Sequence, residues 1–370
     1  MKNINGAIVV VAYNRKLPLI RLLDRLIDCD YSCGNKVDLI VSIDFSDAQP
    51  DILSILDSYT WEYGELKIIA HDNNLGLKNH VLLCGDYVNS YDFLIMLEDD
   101  LYVSKFFYKY ALSAYFSSID RTEVCGVSLY SPKTDEASLL KFEPLSIEGN
   151  NIFFAQLPSS WGQMWTRKMW TDFKDWYESN YTENITVELP SNMHRWSAKS
   201  WKKIFATYMV LSNKYFIFPY SSYSTNFGTA GEHMRGVNTF QVPLIEDDYD
   251  CSVRYNNHCL YYDAFLELTK KSCSSLLGLD EKLDYTVNLK QQKKLESEQL
   301  QLTTLKLDSV ISSYSAELFP LEMNLKNTTP GNGIYLGKTP KYQPWSFFII
   351  FNDSYKVPFS KGLLRRFLRL

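Results

Sequence analysis

The sequence contains few long hydrophobic runs. The apolar stretch nearest the N-terminus, Ala7-Ile8-Val9-Val10-Val11-Ala12, is much shorter than the roughly 18 apolar residues that a membrane-spanning helix needs. It also leads directly into polar residues, without the cleavage region of a secretory signal peptide. We therefore expect a cytoplasmic protein.

Basic residues are not in excess over acidic ones. The 38 Lys and Arg residues stand against 43 Asp and Glu residues, which gives a net charge of −5. This balance excludes the basic footprint of a nucleic-acid-binding protein. The seven cysteines are odd in number and widely spread, and Cys29 and Cys33 have no partners at zinc-finger spacing. We expect free, buried thiols.

Apolar runs and helical patterns alternate along the first half of the chain. Strands are predicted over 7–12, 37–43, 66–70 and 93–97, and helices over 18–29, 52–59 and 77–88. Near-continuous apolar strands separated by helices are typical of a parallel sheet covered on both faces. We therefore predict an α/β domain over 1–245 and a helical or irregular C-terminal region over 246–370. Within that region, the polar stretch 284–307 predicts an exposed helix.

Polar residues follow each of the four predicted strands. They are Tyr13-Asn14-Arg15, Asp44-Phe45-Ser46-Asp47, His71-Asp72-Asn73-Asn74 and Glu98-Asp99-Asp100. In open parallel sheets, ligands bind outside the carboxyl ends of the strands. We therefore expect these four groups to lie at one edge of the sheet and to form the ligand site.

The acidic cluster Glu98-Asp99-Asp100 is the sharpest local signal. Three adjacent acids at the end of a buried strand repel one another, and a hard divalent cation relieves this repulsion and can bridge to a diphosphate. The alternative is an acidic turn that caps the next helix, since Asp is a good N-cap residue. The position after the fourth strand favours a site for Mn²⁺ or Mg²⁺.

Six segments in order resemble one known enzyme family. They are 9–15 (VVVAYNR), 41–44 (VSID), 74–79 (NLGLKN), the acidic cluster, 159–165 (SSWGQMW), and 226–228 (NFG) with 231–233 (GEH). Over about residues 6–240, the chain resembles N-acetylglucosaminyltransferase I and its bacterial relatives. The resemblance implies a GT-A fold, which is a Rossmann-like, mainly parallel sheet flanked by helices, with a C-terminal appendage here.

The resemblance also implies a reaction. A sugar would move from a nucleotide-sugar donor, expected to be a UDP-sugar, to a glycan or lipid-linked saccharide. Inversion at the sugar and a role in bacterial surface polysaccharide synthesis are expected. The implied donor-site residues are Arg15, Asp44, Asn74, Lys78, Glu98, Asp99 and Trp161. Asp100 would ligate the metal, and Asp99 would also serve catalysis.

The general base departs from the family pattern. An inverting transferase needs a base for the acceptor hydroxyl, and the family places an Asp between tryptophans, whereas 194–201 here (HRWSAKSW) has no acid. Glu232 is our first choice for the base, ahead of Asp172 and Asp175 on a predicted helix. His233 is predicted to be a second metal ligand or a phosphate contact, with a structural histidine as the alternative.

Two other functions stay open. A nucleotidyltransferase would be expected to carry a glycine-rich phosphate loop after the first strand, where this chain has 12–16 (AYNRK) without glycine. A catalytically inactive carbohydrate-binding or scaffold protein is the second alternative.

The C-terminal residues 361–370 (KGLLRRFLRL) are basic and amphipathic. They predict weak association with an anionic membrane, at the inner face of the plasma membrane, or a helix docked on the protein's own surface.

Overall fold

The computed structural model describes residues 4–33, 36–138, 140–227, 240–246, 251–294 and 297–339. The chain divides into two compact units. Unit 1 comprises Met1–Ser131, Glu148–Val187 and Trp196–Asn256, and unit 2 comprises Pro132–Ile147, Glu188–Arg195 and Asn257–Leu370. Unit 1 therefore takes most of the range 1–245, while two stretches inside that range, 132–147 and 188–195, belong to unit 2.

Unit 1 is an α/β structure; helices and strands are numbered along the whole chain. Its strands are β1 (Gly6–Ala12), β2 (Val37–Ile43), β3 (Leu66–Ala70), β4 (Phe93–Glu98), β5 (Leu101–Val103), β6 (Val124–Ser128), β7 (Ile152–Ala155), β8 (Gln163–Thr166), β9 (Tyr215–Pro219) and β10 (Ser224–Asn226). Its helices are α1 (Lys16–Ile27), α2 (Gln49–Leu56), α3 (Gly76–Asp86), α4 (Phe107–Ser118), α5 (Arg167–Asn180) and α7 (Trp201–Leu211), and a 3₁₀ turn covers Tyr87–Ser90.

The main sheet of unit 1 runs in the order β7-β9-β6-β8-β4-β1-β2-β3. Parallel pairing joins β3 to β2, β2 to β1, β1 to β4, and β6 to β9, whereas β8 and β7 run antiparallel to their neighbours. Strands β5 and β10 form a separate antiparallel pair. The predicted fold class, a mainly parallel sheet flanked by helices, is confirmed.

The elements form where the sequence pattern predicts them. Every residue of β1 is buried, as expected for a central parallel strand. Helix α1 buries Leu19, Leu22, Leu23 and Leu26, which recur at helical spacing along one face. Helix α2 begins at Gln49, earlier than predicted, because Pro50 is tolerated in the first turn of a helix.

Residues 161–201 contain six tryptophans, and several of these pack in the core of unit 1. Trp165 and Trp170 are fully buried, with ring centroids 4.7 Å apart. The indole nitrogen of Trp170 donates to the Asp86 carboxylate at 2.7 Å, which satisfies its one polar group. Trp161 and Trp196 are only half-buried. Much of the aromatic richness of this region therefore serves packing.

Unit 2 contains a small sheet in the order β12-β13-β15-β14. Its strands are β11 (Tyr261–Tyr262), β12 (Thr286–Asn288), β13 (Leu300–Thr303), β14 (Ser309–Ser315) and β15 (Gly333–Lys338), and its helices are α6 (Ser191–His194), α8 (Lys270–Leu277) and α9 (Glu322–Lys326).

The predicted exposed helix over 284–307 is wrong, since strands β12 and β13 lie there. Two of its lysines do not lie on a solvated face. Lys290 is buried against Asp135 at 2.8 Å, and Lys293 is paired with Glu267 at 2.9 Å.

The cysteines and the lengths of the helices bear on two predictions made from the sequence. All seven cysteines are free thiols, and all except Cys33 are buried, as expected. Within the described ranges, no helix combines the length and the apolar character needed to cross a membrane.

Glu322, at the start of α9 in unit 2, predicts a pH-dependent stability. It is 7% exposed, and burial raises its pKa from 4.5 to about 7. An acid whose pKa is higher in the folded protein stabilises it at low pH, and that stability is lost as the pH rises from 4.5 to 7. Glu322→Gln should therefore stabilise the protein at pH 8, by at most about 3 kcal/mol, and have little effect at pH 5.

Denaturant unfolding at the two pH values measures this difference. Glu317→Gln, at an exposed position of the same unit, is the matched control and should show the same small effect at both. A Glu322→Gln protein less stable than wild type at pH 8 would contradict the account.

Candidate functional site

The carboxyl ends of four parallel strands meet at one edge of the unit 1 sheet. Backbone hydrogen bonds continue just past the strand ends: Asp44 N donates to Ala12 O at 2.9 Å, His71 N to Ile43 O at 3.0 Å, and Asp99 N to Val11 O at 3.2 Å. The residues after β1, β2, β3 and β4 are thereby fixed side by side. The structure brings these predicted site residues together at the edge where ligands of open α/β sheets bind.

Arg15 joins the end of β1 to the acidic cluster after β4. Its guanidinium, at the start of α1, pairs with the Asp99 carboxylate and with Asp100 Oδ2, the latter at 2.8 Å. Asp99 is 2% exposed, so burial raises its pKa to about 6, although Arg15 acts in the opposite direction. Arg15 therefore neutralises part of a crowded negative charge, which explains how adjacent acids can persist here.

Glu98 is the unpaired member of the acidic cluster. It is half-buried at the end of β4, and its carboxylate has no hydrogen bond or ion pair within the part of the chain that the structure describes. Burial and, after it, the negative charge of Asp100 raise the pKa of Glu98 to about 8, while Lys202 opposes the rise. Repulsion among these acids is therefore only partly relieved by protein groups.

The carboxylates of the acidic cluster suit a divalent cation that takes few protein ligands and completes its coordination with substrate phosphates. The described residues contain no group of three or more His, Cys, Asp or Glu side chains arranged to hold a metal. Asp99 faces Arg15, but Asp100 uses only Oδ2 in its ion pair, and its other oxygen has no hydrogen-bond partner among the described residues. Mg²⁺-type ions are commonly held by one or two carboxylates together with substrate phosphates. Asp100, with Glu98 beside it, offers such a partial site.

Asp44 ties the second strand end to the loop that follows β3. Its carboxylate is 3% exposed and accepts from the backbone N–H groups of Phe45 at 2.9 Å, Leu75 at 2.8 Å and Gly76 at 3.0 Å. Gly76 has φ +72°, a backbone conformation that glycine adopts readily. Asp44 thus has a clear structural task, and its expected contact with a base stays a prediction.

Two other predicted donor residues lie near this loop. The Asn74 side-chain amide donates to Phe45 O at 3.0 Å, and Asn74 itself is exposed. Lys78, in the first turn of α3, is partly exposed and has no hydrogen bond or ion pair within the described ranges. Their contact with a donor stays a prediction.

Trp161 lies on the other side of the acidic cluster. Strand β8, which begins two residues after Trp161, pairs antiparallel with β4, with Gln163 opposite Met96. The indole stands edge-on to Tyr130 at 4.6 Å between ring centroids, and its backbone oxygen accepts from the Ser224 hydroxyl. A half-buried ring beside the acids is consistent with the predicted sugar pocket.

Sequence reasoning missed several polar groups around this edge. Among the described residues, the buried side-chain atoms in or near β8 and β10 without a hydrogen-bond partner include Ser159 Oγ, Gln163 Oε1 and Asn226 Oδ1. Buried polar atoms are normally satisfied by protein, water or ligand. Uncharged residues of this kind carry no distinctive sequence signal, since the same types are common in any turn or strand.

Lys202 is a further residue that the sequence pattern left unnoticed. It lies in the first turn of α7 with its ammonium 4.8 Å from the Trp196 ring centroid, and no described residue forms a hydrogen bond or ion pair with it. It follows directly after the segment 194–201, which contains no acid. A cation therefore stands close to the stretch where the family pattern places its base.

The residues predicted for acid–base chemistry lie elsewhere. Glu232 and His233 fall outside the described residues. Asp172 and Asp175 are on α5, where Asp172 pairs with Lys168 at 2.8 Å and Asp175 is exposed. These two aspartates are partly or fully solvated, as expected.

Comparisons with known proteins yield only distant structural likenesses. No protein-family model and no curated protein matches the chain. Among solved structures, the chain is similar to S. aureus TarS 1-349 (15% identity, TM-score 0.38, 60% of this chain and 59% of that chain). It is also similar to GalNAc-T7 with UDP, GalNAc and Mn²⁺ (13% identity, TM-score 0.42, 59% of this chain and 43% of that chain). A third likeness is to the mannosyltransferase PcManGT from Pyrobaculum calidifontis in complex with GDP-Man and Mn²⁺ (14% identity, TM-score 0.30, 44% of this chain and 44% of that chain).

The matched parts span roughly two fifths to three fifths of those chains. At such identities and TM-scores, the likeness carries no argument about activity.

The Arg15–Asp99 pair predicts a measurable coupling energy. Arg15→Met leaves the buried Asp99 carboxylate without its partner, and Asp99→Asn removes the charge that needs one. A double-mutant cycle on unfolding free energies at pH 8 should give a coupling of about 1–3 kcal/mol.

The exposed helical pair Lys168–Asp172 is the control, with a coupling below about 0.5 kcal/mol expected. Equal couplings for the two pairs would show that Arg15 does not stabilise the acidic cluster.

Proposed function

We propose that the chain is a nucleotide-sugar-dependent glycosyltransferase of the GT-A type. The observation that carries this proposal is the acidic cluster with Arg15, at the edge where four parallel strands end. That edge is where α/β sheets bind nucleotides. Arg15 and the acids together suit a diphosphate accompanied by a divalent cation, and the six family-like segments supply the reaction class.

Mn²⁺ or Mg²⁺ would be held through Asp100, with Glu98 nearby and His233 as a second candidate ligand outside the described residues. When bound, such a cation neutralises the negative charge that develops on the leaving diphosphate. Arg15 would then exchange part of its contact with Asp100 for a phosphate oxygen. Its planar guanidinium has the geometry for such an exchange.

The remaining donor contacts follow the sheet edge. Asp44 and Asn74 would face the base or ribose, Lys78 the phosphates, Asp99 and Glu98 the ribose or donor sugar, and Trp161 a sugar ring. We expect a UDP-sugar as the donor and a glycan or lipid-linked saccharide as the acceptor. Inversion, and a role in bacterial surface polysaccharide synthesis, belong to the same proposal. They rest on the family resemblance alone.

Substitutions separate donor binding from proton transfer. Asp100→Asn should abolish both the metal-dependent binding of a nucleoside diphosphate and turnover, since it removes the proposed ligand. Glu232→Gln, the proposed base, should lower turnover far more than it weakens donor binding, because a base acts in the transition state. Both are measured by Mn²⁺-dependent hydrolysis of a nucleotide-sugar panel, together with titration calorimetry.

Asp120→Asn, at an exposed acid of unit 1 outside the predicted site, is the control and should behave like wild type. Full activity of Asp100→Asn, or of wild type in chelator, would rule out the metal site. Nucleotide binding without any sugar release would favour the inactive carbohydrate-binding alternative. Release of pyrophosphate when the protein is given a nucleoside triphosphate and a sugar phosphate would favour a nucleotidyltransferase.

Membrane association is a separate part of the proposal. Residues 361–370 lie outside the described residues, and their basic and apolar side chains suit the headgroup region of an anionic bilayer. Deleting them should abolish co-sedimentation of the full chain with anionic liposomes at low salt, and raised salt should do the same. Equal sedimentation of the truncated protein would exclude this anchor.

A further inference from the structure

Arg21 is a guanidinium whose hydrogen-bonding groups are unused. It lies on α1 with its guanidinium carbon 3.4 Å from the centroid of the Phe227 ring. Its Nε is buried without a hydrogen-bond partner. No described residue forms a hydrogen bond or an ion pair with any of its nitrogens. Because arginine carries five N–H donors, this side chain is held in place with its binding capacity intact.

The ring beneath Arg21 is fixed next to the acidic cluster. Phe227 N donates to Asp100 O at 3.0 Å, directly after the pairing of Asn226 with Leu101 between β10 and β5. The Phe227 ring also stands edge-on to Tyr102, with 5.5 Å between centroids. Arg21 is therefore positioned by a ring that the β5–β10 pair holds in place, and the negative charge of Asp100 attracts its guanidinium without an ion pair.

Arg25, one turn further along α1, shows what a structural arginine does in the same environment. Its guanidinium lies 4.8 Å from the Tyr102 ring centroid, its Nε donates to Val103 O at 2.8 Å, and it pairs with Glu246 at 2.8 Å. Arg25 is thus fully engaged. A buried donor left without a partner costs free energy, so the unused Nε of Arg21 calls for a ligand.

A second unsatisfied atom lies next to Phe227 in the chain. Asn226 is 5% exposed, and its Oδ1 has no hydrogen-bond partner among the described residues. The aromatic ring under Arg21 therefore directly follows, along the chain, a buried residue with an unused acceptor.

We propose that Arg21, held flat on Phe227, binds a phosphate or carboxylate group of the acceptor. The assignment to an acceptor rests on the proposed function. Arg15 stands at the acidic cluster where the donor diphosphate is placed, and Arg21 is six residues further, about 9 Å along the helix axis. Arg21 thus serves a separate anionic group. The planar guanidinium matches two oxygens of a phosphate or carboxylate at once.

The test uses inorganic phosphate as the probe and the full chain as the protein. Phosphate affinity is measured by phosphorus NMR or calorimetry, with and without saturating UDP and Mg²⁺. Wild type should bind phosphate under both conditions. Arg21→Gln should weaken phosphate binding at least tenfold, and Arg21→Lys should weaken it less, because an ammonium keeps the charge without the planar fork.

Lys16→Gln is the matched control, because it removes the same charge from an exposed position of the same helix. It should change phosphate affinity less than twofold. If Arg21→Gln does not fold, Arg21→Lys decides the question, with weaker phosphate binding than in wild type expected.

The outcomes are distinct. Phosphate binding that is equal in wild type and the Arg21 variants overturns the inference. Displacement of phosphate by UDP and Mg²⁺ assigns Arg21 to the donor and overturns the acceptor assignment. A failure of UDP to bind bears on the proposed function alone, since the dependence of phosphate binding on Arg21 is still measured.

Discussion

The ion pairs of Arg15 are the constraint on which the site depends. They connect the residues that follow β1 to those that follow β4, across neighbouring parallel strands. Without a cation at this point, Asp99 would be a buried charge beside two further acids, and such a charge is costly. The single guanidinium leaves Glu98 and one oxygen of Asp100 unused. The acidic cluster is therefore only partly neutralised by protein groups, as the proposed binding of a metal–diphosphate requires.

The surrounding elements position groups around that centre. Asp44 holds the loop before α3 by three backbone hydrogen bonds, and the β5–β10 pair holds Phe227 beside Asp100. Unsatisfied polar atoms and unpaired cations lie around this edge, whereas Trp165, Trp170 and Trp201 are buried in the core. This division suits a protein in which aromatic packing fixes the scaffold and polar groups remain available for ligands.

Much of unit 1 could be predicted because its strands are apolar throughout. Strands β2 and β3 have the predicted bounds, since buried parallel strands leave a continuous signal. The convergence of Arg15, Asp44 and the acidic cluster follows from the rule for strand ends. The sequence could not indicate that Asp44 is occupied by backbone N–H groups, because local propensity does not encode which loops meet.

Other features depend on contacts between residues far apart in the chain. Residues 284–307 look like a solvated helix, yet Lys290 is buried because Asp135, more than a hundred residues away, pairs with it. Arg21 lies in a leucine-rich helical pattern, and it differs from Arg25 through contacts with residues far along the chain: Phe227 for Arg21, Val103 and Glu246 for Arg25. Long-range pairing of this kind has no local pattern, so unit 2 and the unpaired cations were the least predictable parts.

The most direct test of the central claim is an anomalous difference map from crystals grown with Mn²⁺ and UDP. The account predicts a manganese peak at the Asp100 carboxylate, bridged to the diphosphate, with Arg15 in contact with a phosphate oxygen. A nucleotide bound away from the ends of β1 and β4, or one bound there with no manganese at Asp100, would contradict it.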